Sequence, residues 1–327
     1  MHYNTPNTTE IRRRLATVLS APEIDLAMPQ IERINQLKKE KNAVILVHYY
    51  QVPAIYHGIA DVVGDSLGLS QAATQVDADT IVFCGVHFMA ETAKLLNPQR
   101  TVLIPDPTAG CSLSESITPE DVRALKAKHP GVPVVCYVNT QADIKAESDI
   151  CCTSGNAAKV VNSLPGSEFI FIPDEFLGQN VARETGKTVF THPGRCMVHE
   201  QFTVDDIKAY RAQFPGIQVI AHPECSPDVI QAADYSGSTH GMEEYLRKHP
   251  TGQVMMITEC SMAANVKEQF PKMEFKMPCT ICPHMKKITL ENVISALEKN
   301  QFVVDIPEAI AVPARRAVER MMTVGRG

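Results

Sequence analysis

The chain has 327 residues, enough for about two ordinary domains, with 44% hydrophobic and 21% charged residues. Its net charge of −6 excludes a broad nucleic-acid-binding face, which needs clustered Lys and Arg, and the run Arg12-Arg13-Arg14 reads as a solvated helix face. No stretch approaches the ~18 apolar residues of a membrane span, and Met1–Ser20 lacks the apolar core of an export signal. Neither nucleic acid nor membrane is therefore expected as a partner, and the expected location is cytoplasmic.

Between Val44 and Cys111 the pattern alternates strand and helix. Val44-Ile45-Leu46-Val47 ends in the polar cluster His48-Tyr49-Tyr50-Gln51, and Gly64-Asp65-Ser66 opens a helix. Thr80–Cys84 is a second strand, a helix covers Phe88–Leu96, and a third strand over Thr101–Pro105 runs on to Cys111. Continuous β-branched runs of this kind are strands of a parallel sheet covered on both faces. The order then recurs. Val132–Val135 ends in Cys136-Tyr137-Val138-Asn139-Thr140, and a helix follows Thr153-Ser154-Gly155. Glu168–Ile172 and Thr188–Thr191 flank a helix over Leu177–Thr185 before Cys196. It recurs once more through Ile217–Ile220, Ala221-His222-Pro223-Glu224-Cys225, Gly237-Ser238-Thr239, Gln253–Ile257, a helix over Met262–Phe270, Glu274–Met277 and Cys282. The stretch up to Lys41 and the tail from Thr289 read as helices packed outside.

Three markers share one period. Cys111, Cys196 and Cys282 are 85 and 86 residues apart; Ser66, Ser154 and Thr239 are 88 and 85 apart; His48, Tyr137 and His222 are 89 and 85 apart. The period predicts an α/β protein of three homologous three-layer α/β/α units, each with a short parallel sheet, around a pseudo-threefold axis. The expected units are 1–114 with the N-terminal helices, 115–199, and 200–327 with the C-terminal helices. A (β/α) barrel is the alternative. Ligands of such sheets sit beyond the carboxyl ends of the strands, so the polar clusters and the cysteines are expected to line one active site at the centre.

Ten cysteines in a reducing compartment suggest metal or redox chemistry rather than a disulfide framework. A structural zinc site takes four ligands, and the one Cys-x-x-Cys pair, Cys279-x-x-Cys282, makes a weak zinc signal. Three thiolates on a threefold frame suit an iron–sulfur cluster with one iron left open for chemistry. Cys279 is a spare ligand, half of a Cys279–Cys282 disulfide formed on oxidation, or neither. Cys151 and Cys152 read as structural. Cys84, Cys136, Cys225 and Cys260 read as core or cavity wall. The hydroxyls of Ser66, Ser154, Ser238 and Thr239 at helix starts read as helix caps, as donors to anions bound there, or as both at once.

Several of these stretches resemble the quinolinate synthase family: His48-Tyr49-Tyr50-Gln51, Gly64-Asp65-Ser66, Phe88 through Lys94, Pro105-Asp106, Ala109-Gly110-Cys111-Ser112-Leu113, Tyr137-Val138-Asn139-Thr140, Cys151-Cys152-Thr153-Ser154, Pro173-Asp174, Leu177-Gly178, Val198-His199-Glu200, His222-Pro223-Glu224-Cys225, Gly237-Ser238-Thr239 and Cys282-Pro283-His284-Met285-Lys286. The resemblance runs in order over residues 40 to 295. It implies three α/β/α domains about a pseudo-threefold axis and a [4Fe–4S] cluster on Cys111, Cys196 and Cys282. It implies condensation of iminoaspartate with dihydroxyacetone phosphate to quinolinate, phosphate and water, feeding NAD biosynthesis. Some family members carry Cys-x-x-Cys-x-x-Cys at the last ligand; here position 276 is Lys276, and the ligand is assigned to Cys282 by the Pro283-His284-Met285 that follows.

On that basis Tyr50 and Glu224 are the acid–base candidates, with His48 and His222 as proton relays or substrate ligands. Tyr137, Asn139, Ser154, Ser238 and Thr239, with His222 and Glu224, are expected to bind the iminoaspartate side. Ser66 and His48 are expected on the phosphate-bearing partner. Transient contact with an enzyme that supplies iminoaspartate is a further expectation. Two other readings stay open: a zinc-dependent hydrolase, and a non-enzymatic iron–sulfur redox sensor.

Overall fold

The computed structural model describes residues 7–325. It contains three four-stranded parallel sheets. The first holds β1 (Ala43–His48), β2 (Val62–Gly64), β3 (Thr80–Cys84) and β4 (Thr101–Leu103) in the order β2-β1-β3-β4. The second holds β5 (Val134–Tyr137), β6 (Ile150–Cys152), β7 (Glu168–Ile172) and β8 (Thr188–Thr191) in the order β6-β5-β7-β8. The third holds β9 (Gln218–Ala221), β10 (Tyr235–Ser236), β11 (Gly252–Ile257) and β12 (Met273–Lys276) in the order β10-β9-β11-β12. The topology is the same three times over, flanked by helices each time. Three separate open sheets set the barrel aside.

The central strands are apolar because both faces are covered: Val44 to Val47, Val134 to Cys136, and Val219 to Ala221 are buried. Each sheet has one more strand than the apolar pattern suggests. The additional strands, β2, β6 and β10, span only two or three residues and are too short to show a period. Cys151 and Cys152 lie in β6, buried, with Cys151 in register opposite Cys136. Cys84, Cys136 and Cys225 are likewise buried and free.

The repeat extends to polar anchors. Asp61, Asp149 and Asp234 each accept the backbone N–H of a central strand, from Ile45, Val134 and Val219, at 2.7–2.8 Å. Seven residues after each cysteine a threonine opens a helix through a capping box: Thr118 before Pro119–Lys128, Thr203 before Val204–Gln213, and Thr289 before Leu290–Lys299. The last of these packs on the long N-terminal helix Ala21–Glu40. The C-terminal helix Glu308–Val324 packs on Ala142–Ala146 and β6 of the second unit. No helix among the described residues is long and apolar enough to cross a membrane.

Candidate active site

The carboxyl ends of the central strands open on one cavity of about 70 Å³. His48 ends β1, Tyr137 ends β5 and His222 follows β9, and all three line it. Two residues further on, Tyr50, Asn139 and Glu224 occupy one position of the repeat and line the same space. Ser66, Ser154 and Thr239 lie on its wall, as do Cys111, Cys196 and Cys282. Ser238 is the exception among the candidates. Its hydroxyl accepts from Gly241 N as the cap of Thr239–Lys248, and it lines an outer groove between the second and third units.

A helix follows each of the three expected starts. Ser66 opens Ser66–Gln75, capped by Asp65, and Thr239 opens the equivalent helix. In the second unit the helix begins at Ala157, so Ser154 stands in the turn before it. There its hydroxyl is 3.3 Å from Nε2 of His222.

The two strand-end histidines are held alike. Nδ1 of His48 accepts the N–H of Tyr50 at 3.2 Å, and Nδ1 of His222 accepts that of Glu224 at 3.3 Å. With Nδ1 accepting, the neutral ring carries its proton on Nε2. Burial pushes His48 down to about 4 and His222 down to about 3, against the pull of nearby carboxylates. Both rings are neutral donors at neutral pH.

A hydrogen-bonded chain crosses the cavity floor. The Tyr50 hydroxyl lies 2.6 Å from Oγ1 of Thr258, which is 3.0 Å from Nε2 of His199. Nδ1 of His199 is 2.6 Å from one oxygen of Glu224, and the Tyr137 hydroxyl donates to the other at 2.5 Å. Asn139 Nδ2 reaches the latter oxygen at 3.4 Å. Burial opposes charge on Glu224, yet the histidines and the hydrogen bonds from His199 and Tyr137 outweigh it and hold the carboxyl below its usual range. Burial drives the Tyr50 and Tyr137 phenols well above theirs. The chain thus joins a carboxylate held ionised to two phenols that keep their protons. His199 and Thr258 had no role assigned from the sequence. Thr258 sits one residue past the end of β11, where the strand-end rule points, and His199 stands inside a motif already noticed.

The cysteines share a local design. All three are free and part-buried, and each sulfur faces the backbone N–H groups two and three residues on: Leu113 and Ser114, Val198 and His199, His284 and Met285. Such nests favour a thiolate. Burial works the other way, pushing Cys111 up to about 12 and raising Cys196 and Cys282. Bare thiols here stay protonated, and a cationic centre would draw them out as thiolates. Three soft donors, one from each unit and each with an N–H nest, fit a single iron–sulfur centre.

The Cys282 loop is tied down by a buried carboxylate. Glu259 accepts from the N–H of Cys282 at 3.4 Å and pairs with Lys286 at 2.8 Å, and Lys286 also donates to the Tyr50 carbonyl at 2.6 Å. Cys279 forms its disulfide with Cys260, not with Cys282. Cys260 therefore has a covalent partner rather than a plain core role, because the backbone of residue 260 runs beside Thr280 and bonds to its carbonyl.

A family model described as "Quinolinate synthetase A protein" matches residues 32–323. The chain belongs to the quinolinate synthetase A family. It is 55% identical over 311 residues to the protein named quinolinate synthase of Agrobacterium fabrum, covering 95% of this chain and 90% of the relative. To that of Xylella fastidiosa strain Temecula1 it is 56% identical over 294 residues, covering 90% and 87%. To quinolinate synthase 1 of Mesorhizobium japonicum it is 53% identical over 319 residues, covering 98% of each. Membership of the quinolinate synthetase A family makes the chain an enzyme, which sets the non-enzymatic sensor aside.

Proposed function

We propose that the chain is a quinolinate synthase of NAD biosynthesis, condensing iminoaspartate with dihydroxyacetone phosphate to quinolinate with loss of phosphate and two waters. The observation that carries this reading is the meeting, in one cavity, of three nested thiols and the Tyr50–Thr258–His199–Glu224–Tyr137 chain. Cys111, Cys196 and Cys282 would hold a [4Fe–4S] cluster. Bound there, the cluster supplies an open iron, a Lewis acid toward a substrate oxygen.

The other roles belong to the chain itself. Glu224, kept ionised, is the base that takes a proton from carbon as the new bond forms and the ring gains its double bonds. Tyr50, kept protonated, is the acid that delivers a proton to a leaving hydroxyl. Thr258 and His199 join the two, so a proton lost at one end is restored at the other. His48 and His222 present neutral Nε2–H donors to carboxylate or phosphate oxygens. Ser66 and Thr239, at starts of ten-residue helices, add hydroxyl and backbone donors for anions, and Ser154, Tyr137 and Asn139 complete the carboxylate pocket. Ser238 acts from outside, by fixing the helix start of Thr239. The site works as a small-molecule cavity, and an iminoaspartate-supplying enzyme is the one transient partner proposed.

One observation favours a second reading. Donor atoms of Cys196, His199 and Glu224 lie within 4.8 Å of one another, a set that suits zinc. Against it, both nitrogens of His199 and both oxygens of Glu224 are already engaged. Anaerobic purification followed by metal and sulfide analysis, then assay with iminoaspartate and dihydroxyacetone phosphate, separates the two. Iron with equal sulfide and quinolinate formation is expected. Zinc without sulfide, and no quinolinate, would give the site to the hydrolase reading.

A further inference from the structure

The turns that carry Tyr50, Asn139 and Glu224 are gripped by one repeated device. In the first unit Asn265 Nδ2 donates to the carbonyls of Tyr49 and Gln51, at 2.9 and 2.7 Å. In the third, Asn180 Nδ2 donates to those of Pro223 and Cys225, at 2.9 and 3.0 Å. In the second, Lys145 Nζ donates to those of Val138 and Thr140. The carbonyls are repeat-equivalent, one on either side of the site residue. A single side-chain nitrogen spans each turn, and the residue between its two anchors lines the cavity.

The two asparagines are themselves equivalent. Each stands eight residues past the end of its strand, Asn180 after β7 and Asn265 after β11, and they are 85 residues apart. Each reaches across to another unit: Asn180 from the second to the third, Asn265 from the third to the first. The corresponding residue of the first unit is Thr92, whose hydroxyl is bonded to Phe88 O. Lys145, fully buried, takes over from within the second unit. The repeat keeps the clamp where it changes the residue.

We propose that Asn265 and Asn180 are positioning residues, setting Tyr50 and Glu224 respectively in register for proton transfer. Neither asparagine lines the cavity; each acts through the turn it spans. Two donors from one planar amide fix both the position and the tilt of a turn, and an error of an ångström at a reacting group costs on the order of 100-fold in rate. Ordinary packing would not require the same two carbonyls to be chosen in three units. The proposal rests on the acid–base roles proposed above for Tyr50 and Glu224.

The test is a pair of double-mutant cycles on anaerobically purified holoenzyme, with turnover expressed per cluster from iron and sulfide content. Asn265→Asp keeps the volume and removes both donors. It is expected to lower kcat about tenfold or more with KM within about threefold, and to lose most of that effect in a Tyr50→Phe background. Asn180→Asp is expected to behave likewise toward Glu224→Gln. The crossed pairs, Asn265→Asp with Glu224→Gln and Asn180→Asp with Tyr50→Phe, are expected to multiply. If a buried aspartate prevents folding, Asn180→Ala and Asn265→Ala carry the same cycles. Matched pairs that multiply as fully as crossed ones, or single variants that lower only thermal stability, overturn the proposal while leaving the acid–base reading intact. Wild-type turnover in Tyr50→Phe and Glu224→Gln overturns both.

Discussion

Glu224, just beyond β9 in the third unit, places one carboxylate oxygen 2.6 Å from Nδ1 of His199, which stands three residues past Cys196 in the second. The pair joins the proposed base to a proposed cluster ligand's own loop, and both members are buried. Replacing the carboxylate by an amide keeps the shape but ends its capacity as a base. Glu224→Gln is therefore expected to lower kcat by about 10²–10⁴-fold, the usual worth of a positioned base, with iron content unchanged. Steady-state assay of the reconstituted variant checks this. Turnover within a factor of two of wild type would take Glu224 out of the chemistry.

Tyr50 and His199 meet through a single hydroxyl, Oγ1 of Thr258. Thr258→Val removes the bridge and keeps the volume. It is expected to cost at least about tenfold in turnover, less than Tyr50→Phe, since water can partly restore the connection. Tyr50→Phe is expected to keep the brown cluster and lose turnover. A visible spectrum and an assay on each variant decide it. Full activity in Thr258→Val would mean that Tyr50 and Glu224 exchange protons with solvent independently.

The threefold plan was legible because markers of different chemistry shared one spacing, and the strands because full burial demands continuous apolar runs. The edge strands β2, β6 and β10 were not, since two or three residues show no period. Most cavity residues were readable from their place at strand ends. His199 and Thr258 were not, because their importance lies in partners 25 to 208 residues away: Glu224 and Tyr50. The pairing of Cys279 with Cys260 depends on β11 and the loop after β12 lying side by side, which no local pattern announces.

The nested thiols yield a prediction about assembly. Cys111→Ala, Cys196→Ala and Cys282→Ala each remove one of three donors and are expected to abolish both cluster assembly and activity. Cys279→Ala leaves all three in place and is expected to retain a cluster and some activity. Iron and sulfide analysis after anaerobic reconstitution reads the outcome. A full cluster in Cys282→Ala would shift the third ligand to Cys279 and require its disulfide with Cys260 to open.

Acid stability follows from three buried imidazoles. Burial pushes His48 and His57 down to about 4 and His222 to about 3, with a carboxylate opposing it in each case, Glu268 at 4.0 Å for His57. In the unfolded chain an imidazole titrates near 6.5. Between about pH 6.5 and 4 the unfolded chain therefore binds protons that the folded one refuses, and stability must fall as the pH drops through that window. Above it the three rings are neutral in both states and contribute no slope. Each tenfold loss of proton affinity is worth about 1.4 kcal/mol, so three such rings make a steep dependence. The expected result is a melting temperature that is flat from pH 7 to 8 and declines progressively from 6.5 to 4.5. His57 lies outside the central cavity, so His57→Asn is expected to shallow that decline by about a third while leaving turnover at pH 7.5 unchanged. A melting temperature that holds level down to pH 4.5 in the wild-type chain would show that these rings accept protons while folded.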